Sequence, residues 1–397
     1  MTAAAGAVAP AAAPAAVQRT LLLAVTAIAA ALGLAVWRDD PAMAAVLAIG
    51  LLLGVTLYHA SFGFTAAYRR LLLERDLSGL VAQAVMLVAA SALFAPMLAA
   101  GEVLGHGVGG AVAPVGIAML LGALLFGIGM QLGSGCASGT LFTAGGGSPR
   151  MMLVLACFCA GSWWGSLDLP WWHALPALSP LALGDVVGWG PAVVLQTLLV
   201  GAVLLALHRR GYRVRRPIWQ DGGLTAAALL RGPWPLLLGA LALALLNAAM
   251  LAASGSPWGV TWGFTLWGAK AAAALGWDPA GSAYWSAPWA RAVLDGSVLA
   301  STTSVSDIGI LLGAAIAATL AGRFRPGWRI GARPLLAAVL GGLMMGYGAR
   351  LAYGCNVGAF FSGVASTSLH GWAWIAMALP GSAIGVRLRP WFKLSNP

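Results

Sequence analysis

Ten apolar runs follow one another along this chain, at 20–37, 42–58, 80–99, 113–133, 150–167, 190–207, 235–253, 305–322, 334–350 and 369–386. Each is close to the length needed to cross ~30 Å of hydrocarbon. Lipid offers no hydrogen bonds to a bare backbone, so such a chain must fold into helices or a closed barrel, and runs of this length select helices. The expected fold class is an all-α multi-pass membrane protein. It has about ten transmembrane helices, interrupted by short broken or re-entrant ones. Composition agrees, with 60% hydrophobic and 8% charged residues, where a soluble protein carries about a quarter charged.

A net charge of +11 suits a nucleic-acid partner, but the positions of the charges exclude one. With the N-terminus in the cytoplasm, all but Arg38, Lys270, Arg291 and Arg350 of the 22 lysines and arginines fall on cytoplasmic segments. That is the positive-inside pattern, and it puts both termini in the cytoplasm. Residues 1–19, rich in Ala and Pro, read as a disordered tail. The A-x-A site Ala27-Ile28-Ala29 lies inside the first run, so this run is read as an uncleaved helix. A first half at 20–207 and a second at 235–391 flank a basic cytoplasmic loop at 208–234.

One stretch occurs twice. Gly127, Gly129, Gly135-Cys136, Gly139 and Phe142 are matched, at a constant offset, by Gly346, Gly348, Gly354-Cys355, Gly358 and Phe361. A second echo pairs Phe62-Gly63-Phe64-Thr65 with Trp262-Gly263-Phe264-Thr265. These four segments are too short or too rich in glycine to span, and such irregular backbone survives at membrane depth only where protein or a polar cavity surrounds it. Counting spans, Cys136 is reached from the cytoplasmic side and Cys355 from the opposite side. The repeat cores, about 42–167 and 235–386, are thus expected to be inverted, as in many secondary transporters.

Glycines beside a cysteine permit tight turns and bare amides. If Ala137–Thr143 and Asn356–Ser362 are half-helices, each thiol sits at a helix N-terminus, where unpaired N–H groups favour an anion. Ser134, Ser138, Thr140, Asn356 and Ser362 add neutral donors. Arg350 reads either as an attractor at the outer mouth or as an interfacial anchor. Asp307 and Glu102 are the carboxylates nearest the cysteines, and neither reads as a buried partner. Cys157 and Cys159 lack a glycine frame and read as packing residues. Tryptophans at run ends, Trp285 and Trp289 among them, read as an interfacial belt. His59, His173 and His370 show no metal-ligand spacing, and no cofactor is expected.

On Gly135-Cys136-Ala137-Ser138-Gly139, Gly354-Cys355-Asn356-Val357-Gly358 and Gly63-Phe64-Thr65-Ala66-Ala67-Tyr68-Arg69-Arg70, the chain resembles the YeeE/YedE family of multi-pass inner-membrane proteins. The resemblance covers nearly everything after the N-terminal tail. It implies a permease, not an enzyme, that takes up thiosulfate or a similar small sulfur-containing anion at the bacterial inner membrane. It further implies that Cys136 and Cys355 hand the anion along through transient S–H···S contacts; read from the residues, Gly135, Gly139, Gly354, Gly358, Ser138, Asn356 and Arg350 complete the expected site. A small sulfur-carrier protein on the cytoplasmic side is an implied partner. Thiosulfate-carrying members can hold a further cysteine in the early broken segment, whereas here none precedes Cys136. Two alternatives stay open from the residues alone: a channel for another sulfur or selenium species, and a membrane thiol subunit that transfers persulfide sulfur.

Overall fold

The computed structural model describes residues 16–219, 225–327 and 330–396. Asp40 shows how local chemistry punctuates the chain. α1 (Arg19–Asp39) ends, the Asp40 carboxylate accepts a 2.9 Å hydrogen bond from the Ala42 amide, and Pro41 opens α2 (Pro41–Ala60). Asp as N-cap with Pro at the first helical position is the favoured pairing, since proline lacks the N–H that would go unsatisfied there. Next come α3 (Phe64–Glu74), α4 (Ser78–Ala100), a hairpin of β1 (Glu102–Val103) and β2 (His106–Gly107), and α5 (Ile117–Gly133). They are followed by α6 (Ala137–Gly145), α7 (Pro149–His173), α8 (Leu183–Val187), α9 (Trp189–Arg209), α10 (Ala226–Arg231) and α11 (Leu236–Ser254). The remainder is α12 (Thr261–Ala274), α13 (Pro288–Asp295), α14 (Thr302–Leu320), α15 (Ala332–Leu351), a π turn at Asn356–Phe361, α16 (Ser362–Ala365) and α17 (Leu369–Leu388).

Among the described residues, 9 helical segments are long and apolar enough to cross a membrane, so the chain is an all-α multi-pass membrane protein. The tenth expected run does form a helix, α17, but its His370, Pro380 and Arg387 dilute its apolar character and it is not among the nine. α17 buries its glycines instead, setting Gly381 against the Leu124 carbonyl of α5. The four short segments are each a broken helix: α3, α6, α12 and the π turn with α16. Most of the tail expected to be disordered, residues 1–15, lies outside the described residues. Its end is ordered, however: the Gln18 amide donates to the Thr319 carbonyl at 3.1 Å, and α1 starts at Arg19.

The two halves do not form separate lobes. The most extensive helix pairs join one half to the other: α2 with α14, α4 with α11, α5 with α15, α7 with α15, and α5 with α17. Glycines set these crossings. A Cβ on Gly129 of α5 would fall 2.9 Å from the Gly341 carbonyl oxygen of α15. In lipid, where no hydrophobic effect drives helices together, such close backbone contact supplies the packing energy.

The tryptophan belt needs a correction. Trp285 is fully buried, stacks on Trp262 with ring centroids 6.0 Å apart, and donates from Nε1 to Ser166 Oγ at 2.8 Å. With Leu266, Ala269, Ala290 and Leu294 it forms a second small core. A run end is apolar whether it meets lipid or folds back on the bundle, and the sequence pattern cannot separate the two.

At the arginine-rich end, Asp76 staples the 208–219 segment to the bundle. Its carboxylate accepts from the Ser78 amide (2.9 Å), Ser78 Oγ (2.6 Å) and the Arg215 amide (3.2 Å), and pairs with Arg216 at 3.3 Å. Burial by itself raises this carboxyl, but those hydrogen bonds and the Arg216 charge together hold it below its usual range. Its contribution is therefore present above the ordinary carboxylate value of about 4 and lost as pH falls through the lowered one. Asp76→Asn is expected to cost about 1–3 kcal/mol at pH 7. In a thermal-unfolding series against pH, the gap to the parent should close as pH drops. A constant gap would show that Asp76 is not ionised in its staple.

Candidate functional site

The geometry of the duplicated stretch starts with how α5 ends. A helix leaves its last four carbonyls without partners. Here two arginines from distant elements take three of them. Arg150 donates to the Gly133 carbonyl at 3.0 Å and the Leu132 carbonyl at 2.9 Å, and Arg389 donates to the Gln131 carbonyl. Arg389 also reaches Ser134 Oγ at 3.0 Å. Cations at a helix C-terminus also meet the negative end of its dipole. Ser134 then turns left-handed at φ 67°, and Gly135-Cys136 leads into α6. The second copy repeats the manoeuvre: at the matching position Tyr353 has φ 58°, and Gly354-Cys355 leads into the π turn.

Cys136 and Cys355 are the N-cap residues of α6 and of the π turn, as the spacing predicts. Cys136 Sγ lies 3.4 Å from Ser138 Oγ, and Cys355 Sγ accepts from the Val357 amide at 3.4 Å. One detail departs from the expectation. The second half-helix is wound as a π turn, its Cys355 carbonyl accepting from both Ala359 (2.9 Å) and Phe360 (3.3 Å) amides. The wider turn bulges the backbone, a device that recurs at functional sites.

Both thiols are buried, at 1% and 0% exposure, in one core cluster. Tyr68 of α3 reaches the second copy from the first half: its hydroxyl accepts from Asn356 Nδ2 at 3.3 Å, and it packs in the core cluster that holds both cysteines. Thr140 Oγ1, Trp258 Nε1 and Asn356 Oδ1 are buried without a partner in the structure. Buried polar atoms are nearly always satisfied, so unpartnered groups on both copies suit a visiting polar ligand. Ser362, by contrast, is occupied: it donates to the Trp258 carbonyl at 2.8 Å and accepts from Asn247 at 3.1 Å.

The four site glycines differ. Gly354 has φ 145° and its absent Cβ would meet the Ala359 amide nitrogen at 2.8 Å, so only glycine fits. Gly135 is tight but conventional, with the Thr140 amide nitrogen 3.3 Å from the Cβ position. At Gly139 and Gly358 a methyl group has ordinary room, 3.5 Å from Cys136 Sγ and 3.8 Å from the Gly259 Cα.

Arg350 stands apart from the thiols. Its guanidinium lies over the rings of Trp262 (5.2 Å) and Tyr284 (5.7 Å), and its Nε has no hydrogen-bond partner. Trp262 also lines a 460 Å³ cavity with Ser256, Ser301, Thr302 and Thr303, so Arg350 belongs to the wall behind that mouth. Lys270 is a structural cap, donating to the Gly296 carbonyl at 2.6 Å. The sequence reading of the carboxylates is overturned for one residue. Asp307 is fully buried on α14, with Oδ2 against Gly263 of α12. Tyr68 was visible only as part of a motif, because nothing local to α3 reveals that it meets Asn356 from the other half.

Residues 59–384 match the pattern of the sulphur transport family. The chain belongs to that family. It is a family of transporters rather than enzymes. Among its relatives, the probable transporter YedE of Escherichia coli is 31% identical over 166 residues, 41% of this chain and 40% of the relative. YedE of Salmonella typhimurium is 32% identical over 159 residues, 39% and 38% of the two chains. The chain thus spans about two-fifths of those two relatives. The thiosulfate transporter TsuA of Spirochaeta thermophila is 26% identical over 345 residues, 82% of this chain and 92% of its own.

Proposed function

We propose that this family member is an inner-membrane permease that takes up thiosulfate or a similar small sulfur-containing anion, with Cys136 and Cys355 as successive stations. The observation that carries the reading is the pair of buried cysteines, each the N-cap residue of its own short helical turn and both packed in one core cluster. A divalent oxyanion must shed its water, and helix-terminal amides with hydroxyl donors replace that shell. Its terminal sulfur suits a soft, weak thiol donor, and a station that conducts must also let go. The relationship to a thiosulfate transporter supports this substrate class.

In this reading the two halves are inverted repeats, with both termini cytoplasmic. Exchange of equivalent partners supports it: α2 pairs with α14 as α11 pairs with α4, and α5 with α17 as α15 with α7. The arginine-rich end then faces the cytoplasm, and its 208–234 loop is where a small sulfur-carrier protein would dock. Each negative charge driven inward against ~100 mV costs about 2.3 kcal/mol, so a dianion needs an energy source.

The test is uptake of labelled thiosulfate into proteoliposomes holding this protein alone, with sulfate, selenite and sulfide as competitors. Flux blocked by unlabelled thiosulfate and not by sulfate is the expected result. Flux of sulfate or sulfide in preference to thiosulfate would reassign the substrate. A finer check uses the open glycine positions. Gly139→Ala should fold normally, yet slow uptake about tenfold by placing a methyl against the Cys136 sulfur, a loss of ~1.4 kcal/mol of binding or passage. Unchanged initial rates would mean that the anion does not pass this atom.

A further inference from the structure

Asp307 is a carboxylate with no visible reason to be where it is. It sits on the second turn of α14, 0% exposed, and neither carboxylate oxygen has a hydrogen-bond partner. Oδ2 is pressed against Gly263 of α12, where a Cβ would fall 2.5 Å away. The titratable groups that bear on it are Cys355, ahead of the π turn, and Cys159 on α7. Among the described residues, no lysine, arginine or histidine of α1, α2, α6, α10 or α12, the helices packed on α14, forms an ion pair with it.

An ionised carboxylate without a partner in a lipid-embedded core is among the most costly groups a protein can hold, and such residues mark ion and proton pathways. The neutral acid is therefore its resting form. A cavity lies one helical turn away. Thr303 precedes Asp307 by four residues, so the two share a face of α14 one turn apart. Thr303 lines the 460 Å³ cavity at the tryptophan-rich end, together with Thr302, Ser301 and Trp262. Asp307 thus lies one turn along α14 from the cavity lining, on a helix that packs against α6 and α12. A dianion approaching Cys355 is repelled by an ionised Asp307 and tolerated by a neutral one.

We infer that Asp307 is a proton-coupling site, so that uptake of the sulfur anion is proton symport. This rests on the transport reading above. The anion enters while Asp307 is the neutral acid. The acid's O–H bond breaks once the anion has moved on, the proton going to water on the far side, and the carboxylate is reprotonated from the cavity. One proton per cycle lowers the charge moved with a dianion from two negative charges to one.

Proteoliposomes with the membrane potential clamped by potassium and an ionophore, and with a pH dye trapped inside, test this. For the parent protein, an inward proton gradient of one pH unit should raise the thiosulfate accumulation ratio about tenfold, one proton's worth, and the lumen should acidify with uptake. Asp307→Asn, nearly isosteric, should equilibrate thiosulfate without acidification and ignore the gradient. Thiosulfate flux in the parent with no acidification and no gradient effect would overturn proton coupling and leave the permease reading standing. Gradient-driven uptake that persists in Asp307→Asn would remove Asp307 from the role. Absence of any thiosulfate flux in the parent would overturn both.

Discussion

Cys136→Ala and Cys355→Ala should each reduce thiosulfate uptake by about tenfold to a hundredfold, the range expected for losing one hydrogen bond to a charged ligand. The reason is geometric. Each sulfur stands at the head of its own short turn, Cys136 Sγ beside Ser138 Oγ at 3.4 Å and Cys355 Sγ accepting from the Val357 amide at 3.4 Å. Neither neighbouring side chain can take its place, since Ser138 and Asn356 sit within the turns themselves. Because the two stations act in series, the double substitution should be no better than the worse single one. Alanine removes one buried atom at each site, so stability should fall by only about 1 kcal/mol. A thermal-shift measurement alongside uptake separates the two effects. Cys157 and Cys159, half-buried on α7, provide the control: alanine at either should leave uptake near the parent level. Undiminished uptake in the Cys136/Cys355 double variant would end the thiol pathway.

The second large effect belongs to a backbone position. Gly354→Ala should cost more than Gly135→Ala, although the two residues occupy matching places. At φ 145° a side chain is strained by about 1–3 kcal/mol, and the added methyl would strike the Ala359 amide nitrogen at 2.8 Å. That nitrogen bonds the Cys355 carbonyl at 2.9 Å, so relief of the clash must unwind the very turn that Cys355 caps. At Gly135 the equivalent distance is 3.3 Å and φ is not left-handed, so a small shift suffices. Uptake by Gly354→Ala should fall at least about tenfold, with a melting temperature several degrees lower, while Gly135→Ala keeps most of both. Equal behaviour of the two variants would show that the π turn is not needed.

Much of this architecture was legible in the chain. Run length announced helices, because a backbone in lipid must bond to itself. Glycine beside cysteine, twice, announced two turns with thiols at their heads. Both are local instructions: residue spacing and backbone freedom decide them within a dozen positions. Four things were not local, and the sequence was silent or misleading on them. Asp307, near the start of its apolar run, did not read as a buried partner of the cysteines, yet it is fully buried and Gly263 of α12 covers it. Trp285 read as a lipid anchor, yet Ser166 and Trp262 enclose it. Tyr68 gains its meaning only from Asn356 at 3.3 Å, almost the whole chain away. The C-terminal end of α5 depends on Arg150 and Arg389, both of them residues that counting assigned to topology alone.

By itself, then, the sequence determined that the chain spans a membrane, where its helices break, and that a sulfur atom stands at the head of two of the breaks. Which of those atoms meet, and which acid stands by them, was decided by the tertiary structure. Apolar periodicity tells a residue how deep to lie in lipid, but the partner it finds there depends on which helices pack, and glycine contacts between the halves choose that.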